Sequence, residues 1–185
     1  MEHFHLGAVQ FLDALGQRPA DATKIIERLR FQKSECELDY IRKAGAIAEA
    51  GLRGLRAAIV PGTSEIELAG SIETAMRLEG TEYSAMPTWM SVGLRTRGSH
   101  RTPTARKLQS GEPVKTEFAG VHRRYHAVTM QTLWLGPPSR EAQRAYDTVL
   151  AALRAGCKEV KVGAPVGSAE DAAFRVFKDS GYDVG

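Results

Sequence analysis

Two copies of one short signature constrain this chain more than any other feature. Ser34-Glu35-Cys36-Glu37 and Ser64-Glu65-Ile66-Glu67 both have the form of a capping box. In a capping box a serine side chain and a glutamate three residues on satisfy each other's orphan backbone donors, which fixes where a helix begins. After the first box, Leu38, Ile41, Ala44, Ala48 and Leu52 recur at helical spacing. That helix is expected to run to about Ile59, where Pro61-Gly62 stops it. After the second, Ile66, Ala69, Ile72, Ala75 and Met76 form a buried stripe, and Gly80 is suited to the left-handed residue that ends a helix.

Beyond Gly80 the period changes. Residues 83–92 read as a loop and a strand, and 93–103, rich in Gly, Arg, Ser and Thr, as a long loop. Residues 113–119 alternate, with Val114, Thr116 and Phe118 on one side and Lys115 and Glu117 on the other. A turn near 120–123 leads to a second strand over 125–135, and two strands this close form an antiparallel hairpin. Pro137-Pro138-Ser139 opens a helix to about Ala155, with Tyr146, Leu150 and Leu153 on its expected core face. Ser168 is the expected cap of a last helix that ends at Gly181. Residues 1–29 carry a weaker pattern broken at Pro19, and 22–29 fit either a short helix or a strand; this stretch reads as a linker or the remnant of a preceding domain. The fold class is α+β, an antiparallel sheet with helices on one face.

Charge and composition narrow the partners. A formal net charge of +3 is too small to require nucleic acid. Arg95, Arg97, Arg101, Arg106 and Lys107 fit a solvated or substrate-facing loop better than a phosphate-binding surface. No stretch approaches the ~20 apolar residues a bilayer span needs. The opening MEHFHLGAVQFLDALG lacks a basic leader, so the expected compartment is the cytoplasm. Cys36 and Cys157 are isolated, which argues against a disulfide scaffold or zinc ribbon and for two buried or half-buried thiols. Trp89 and Trp134 are expected in the core.

In this order the segments resemble the pita-bread superfamily, which includes methionine aminopeptidase, Xaa-Pro aminopeptidase, prolidase, creatinase and ectoine hydrolase. Arg30-Phe31-Gln32-Lys33-Ser34-Glu35-Cys36-Glu37 looks like the family's Arg-x-x-Lys-Ser-x-x-Glu opening. Ile59-Val60-Pro61-Gly62-Thr63-Ser64-Glu65 looks like its link between the first helices. Gly98-Ser99-His100, Gly111-Glu112-Pro113-Val114, the strand from Arg124-Tyr125 to Gly136, and Val162-Gly163-Ala164 match later family segments. The resemblance implies that 30–185 is the first half of a pita-bread catalytic domain, stopping before a later His and two Glu of the family site. It also implies a homodimer acting on a small-molecule substrate.

The departures matter as much as the matches. Metal-dependent members hold two metal ions with an Asp in the first hairpin strand, a second Asp eleven residues later, and the later His and Glu residues. The matching positions here are Glu117 and Val128, and valine has no donor atom. An Arg that usually follows the second Asp is replaced by Gln131. Glu117-Phe118-Ala119-Gly120 running into Arg123-Arg124-Tyr125-His126 is most similar to the metal-free, ectoine-hydrolase-like branch. That branch implies metal-independent C–N hydrolysis of a small zwitterionic or cyclic amidine compound, ectoine- or creatine-like, with no cofactor. Within it the resemblance implies His100 as general acid/base, a task suited to imidazole, which titrates near neutral pH. Glu117 is the expected holder of a cationic amidine or guanidine group, and Arg124 and Tyr125 the expected holders of a substrate carboxylate. No residue is assigned to a metal. His122 and His126 share a face only if no irregularity intervenes between them. Two alternatives remain: a Xaa-Pro aminopeptidase dependent on divalent metal ions, and a non-catalytic binding module or inactive fragment.

Overall fold

A computed structural model describes residues 6–17 and 21–182. Pro19, residues 1–5 and residues 183–185 lie outside the described residues. In chain order the elements are α1 (Leu6–Ala14), α2 (Thr23–Phe31), α3 (Glu35–Ala58), α4 (Glu65–Leu78), β1 (Trp89–Val92), a 3-10 turn (Gly93–Arg97), β2 (Pro113–His122), β3 (Tyr125–Trp134), α5 (Arg140–Glu159) and α6 (Gly167–Ser180). The stretch 22–29, which fits either helix or strand in sequence, is helical.

Both capping boxes form. Ser34 N donates to Glu37 Oε2 at 2.7 Å while Ser34 Oγ accepts from Glu37 N at 3.4 Å. Ser64 and Glu67 repeat the exchange at 2.7 and 3.2 Å. α4 ends as its glycine predicts. Gly80 has φ +102, Gly80 N donates to Arg77 O, and Thr81 N donates to Met76 O, so two otherwise orphaned carbonyls are satisfied.

The sheet has the order β1-β2-β3 and is antiparallel throughout. β2 and β3 are joined by a two-residue turn, Arg123-Arg124, with both residues at positive φ (51° and 70°). That is the hairpin geometry whose twist matches the strands, occupied here by side chains that pay a steric cost for it. Val114, Thr116 and Phe118 point to the helices and are buried, as the alternation predicts. Val114 and Phe118, together with Leu55, Leu68, Ile72, Met90, Val92 and Leu108, form one core between the sheet and the α3–α4 pair. The approach is close. A Cβ on Gly120 would lie 2.2 Å from Ala44 O, and one on Gly51 2.7 Å from Phe118.

Some expectations need correction. Ile66 is exposed, and Leu68 takes the buried place on α4, because the buried face of α4 is set by where α3 and β1 lie. α5 and α6 pack chiefly on each other, with Tyr146 reaching only the end of β3 at Trp134, so Tyr146 and Leu153 are exposed and Thr148 and Ala152 are the buried residues. α5 runs past the expected end at Ala155 to Glu159, and Gly156 within it lets the backbone of α6 approach at Ala169. Ser168 does not cap α6; the cap position is Val166, and the Ser168 hydroxyl donates to Pro165 O. Cys36 and Cys157 are both exposed, since each falls on the outward side of its helix. Among the described residues no helix is long and apolar enough to cross a membrane.

Candidate active site

The sheet face opposite α3 and α4 carries the chemistry-bearing side chains. Pairing sets Trp89 opposite Glu117 and Glu117 opposite Met130, with Ser91 opposite Lys115. Cross-strand partners share a face. The open face therefore presents Trp89, Glu117 and Met130 in one row, with Ser91 and Lys115 in the next. The loop after β1 folds back over this row, where Met90 N donates to Arg101 O at 2.9 Å.

That fold-back brings His100 to Glu117. His100 Nε2 stands 3.2 Å from Glu117 Oε2, and the imidazole lies on the Trp89 ring with centroids 4.1 Å apart. The Glu117 side chain is 13% exposed and that of His100 is 50% exposed, so the carboxylate forms the floor and the imidazole the rim. His100 takes φ +47. Such a backbone is uncommon outside glycine and persists where surrounding contacts impose it. Lys115 Nζ adds one of them, donating to Gly98 O at 3.2 Å. The shallow cleft so formed is lined by Trp89, Gly98, His100, Arg101, Lys115 and Glu117.

The loop is held from below by carboxylates. Glu65, fully buried at the start of α4, accepts from Val92 N and Arg95 Nε on one oxygen, and from Thr104 N and Thr104 Oγ1 on the other. Arg106 forms a two-pronged pair with Glu112 at 2.6 and 3.0 Å. The Arg106 hydrogen bonds hold the Glu112 carboxyl below its usual range, and those to Glu112 raise the Arg106 guanidinium. Two of the basic loop residues thus build the loop and do not face solvent as free charge.

Arg124 and Tyr125 are not brought to this cleft. Tyr125 points to the helix side, where its hydroxyl donates to Glu37 Oε1 at 2.5 Å. Arg124 lies at the hairpin tip with its guanidinium 5.2 Å from the Tyr83 ring centre. The two-residue turn also separates His122 from His126. His122 meets Tyr40 on the helix side, and His126 Nε2 lies 3.2 Å from Tyr83 Oη on the other. Trp134 meets Tyr146 edge-on at 5.7 Å.

Trp89 and Glu65 are the two residues that the sequence reading assigned elsewhere or left out. For Trp89 the signal is present: Met90 and Val92 are buried, so alternation turns Trp89 to the open face. For Glu65 the cues are its place at the end of the family-like link and a glutamate inside a capping box that is not the reciprocal one.

The donor set for a metal pair can be tested on the register. Val128 pairs with Ala119, so it sits on the open face as the diagonal neighbour of Glu117, and it is exposed there. The position next to the carboxylate is thus filled by a side chain with no lone pair to give. Among the described residues no group of three or more His, Cys, Asp or Glu side chains is arranged to hold a metal ion. At the second of the family's two hairpin carboxylate positions this half of the domain therefore offers no ligand, while Glu117 keeps one at the first.

Comparison with known proteins places this geometry. Residues 39–185 match Metallopeptidase family M24. An uncharacterized peptidase of Staphylococcus epidermidis is 30% identical over 162 residues, which is 88% of this chain and 46% of that protein. The solved dipeptidase PepE of Mycobacterium ulcerans is 31% identical with a TM-score of 0.81, over 98% of this chain and 48% of that one. The prolidase of Pyrococcus furiosus, at 23% identity, shares the fold with a TM-score of 0.92 over 97% of this chain and 54% of that one. The chain spans about half the length of the relatives it matches. It belongs to metallopeptidase family M24, and its fold is the pita-bread α+β fold.

Proposed function

We propose that this chain supplies the first half of the catalytic domain of a metal-independent hydrolase that cleaves a C–N bond in a small zwitterionic or cyclic amidine compound. The observation that carries the reading is the His100–Glu117 contact at 3.2 Å beside Val128, where a metal ligand would need a donor. Glu117 offers a partly buried carboxylate to a cationic amidine or guanidine group by charge-assisted hydrogen bonds. His100, at the rim, takes a proton from the attacking water and returns it to the leaving nitrogen. Trp89 backs the imidazole and limits its tilt. Residues 30–185 form the half-domain, and the whole protein works as a cytoplasmic homodimer. Arg124 keeps a part in substrate binding only at the hairpin tip, away from His100, and Tyr125, bonded to Glu37 on the helix side, has none at the cleft.

The second reading is a metal-dependent Xaa-Pro peptidase. It is favoured by the names of the similar solved structures, which include a Xaa-Pro dipeptidase of Bacillus anthracis at 25% identity. The deciding experiment assays the native-length protein, with chelator present, on ectoine- and creatine-like compounds and on Xaa-Pro dipeptides. Chelator-resistant turnover of the amidine class, lowered about 10²–10⁴-fold in His100→Ala, is the expected result. Dipeptide hydrolysis that chelation abolishes and Mn²⁺ restores would replace the proposal by the second reading. No turnover of either class would point to a binding module.

A further inference from the structure

We infer that Glu65 is a positioning residue: its buried carboxylate fixes the loop that sets the His100 imidazole against Glu117. The inference rests on the reading of His100 as the acid/base group, and adds a residue that acts through it. Glu65 is 0% exposed and heads α4, outside the cleft. One of its oxygens accepts from Val92 N at 2.9 Å and Arg95 Nε at 3.0 Å, at the start of the loop. The other accepts from Thr104 N at 2.9 Å and Thr104 Oγ1 at 2.6 Å, at its end. A single side chain therefore ties both ends of 92–104, and His100 hangs between them.

A buried carboxylate is costly unless paired and hydrogen-bonded. Four donors, one of them a guanidinium, meet that requirement here. They also make the site intolerant of the neutral isostere. An amide at position 65 has one acceptor oxygen in place of two and turns its NH2 toward donors that need acceptors. The fold of α4 does not need this arrangement, since the helix is capped separately by Ser64 and Glu67. What the four bonds specify is the path of the loop, and so where a rim imidazole with φ +47 comes to rest.

The test reads the imidazole directly. In native-length protein with ring-labelled histidine, the His100 resonances are assigned by their loss in His100→Gln. Held against the Trp89 ring with centroids 4.1 Å apart, they are expected upfield of the other histidines. Glu65→Gln is expected to keep the helical circular dichroism, to bring the His100 signals into the range of the others, and to lower kcat at least ten-fold with KM changed less than three-fold. Thr104→Val, which removes one donor, is expected to give a smaller displacement in the same direction. His100 resonances unchanged in Glu65→Gln would overturn the inference. If Glu65→Gln does not fold, Arg95→Gln and Thr104→Val are read the same way, and unchanged resonances in both overturn it. Displaced resonances with a His100→Ala protein of full activity would leave the positioning role intact and defeat the catalytic reading instead.

Discussion

Tyr125 and Ser34 act on one carboxylate. The Tyr125 hydroxyl donates to Glu37 Oε1, and the backbone and hydroxyl of Ser34 donate to Oε2. The Tyr125 bond first, then those from Ser34, lower the Glu37 carboxyl from the ordinary 4.5 to about 2. A depressed carboxylate stabilises the fold fully above its unfolded value and loses that contribution as pH falls through the folded one. The capping contact at the head of α3 should therefore weaken between about pH 4.5 and 2. Thermal melts across that range are expected to show Tyr125→Phe with a shallower acid dependence than the parent, with unchanged melting slope at neutral pH. A parallel pH dependence in both proteins would refute the assignment. At this scale the family resemblance, and not composition, drew attention to His100, and the structure sets its imidazole 3.2 Å from Glu117. The role of Tyr125 was not readable from the chain. Its side of β3 depends on the two-residue turn at Arg123-Arg124, and those residues carry none of the usual signals for positive φ.

The contact between strand and helix at Gly120 is the tightest in the sheet. Alanine there would bring its methyl to 2.2 Å from Ala44 O and 2.6 Å from Ala48 N, both backbone atoms that cannot step aside. Gly120→Ala is expected to cost about 1–3 kcal/mol or more in urea unfolding. Gly70, exposed on α4 with nothing within 4 Å of an added methyl, is the control. Gly70→Ala should be stabilising by about 0.4–1 kcal/mol, because it narrows the unfolded ensemble. Equal effects at the two sites would contradict the packing described. Several elements were legible from local signals: both capping boxes, the Gly80 terminus and the alternation of β2, though the Ser168 cap was not. The partner of α5 was not legible. A helical stripe says that one side is covered but not by what, and the surface of α5 that meets α6 is formed by Thr148 and Ala152.

Among the described residues, large apolar side chains are left uncovered in several places, three of them grouped on one element or face. Val128 and Met130 are exposed on the open sheet face, Val149 and Leu153 on α5, and Ile25, Ile26, Leu29 and Phe31 along α2. Exposed apolar surface on this scale marks places that other protein covers. The 185-residue chain produced by itself is expected to associate, with a mass by light scattering that rises with concentration. A compact monomer that melts cooperatively would count against this. The sheet has a last consequence, for how variation is tolerated. Because the first half of β2, 114–118, turns alternate side chains to core and cleft, a saturation library scored twice, for abundance and for turnover, should split there by the parity of the residue number. Changes at 114, 116 and 118 should deplete the protein itself. Changes at 115 and 117 should leave its amount intact and silence it, so that neighbours in sequence behave as strangers in inheritance.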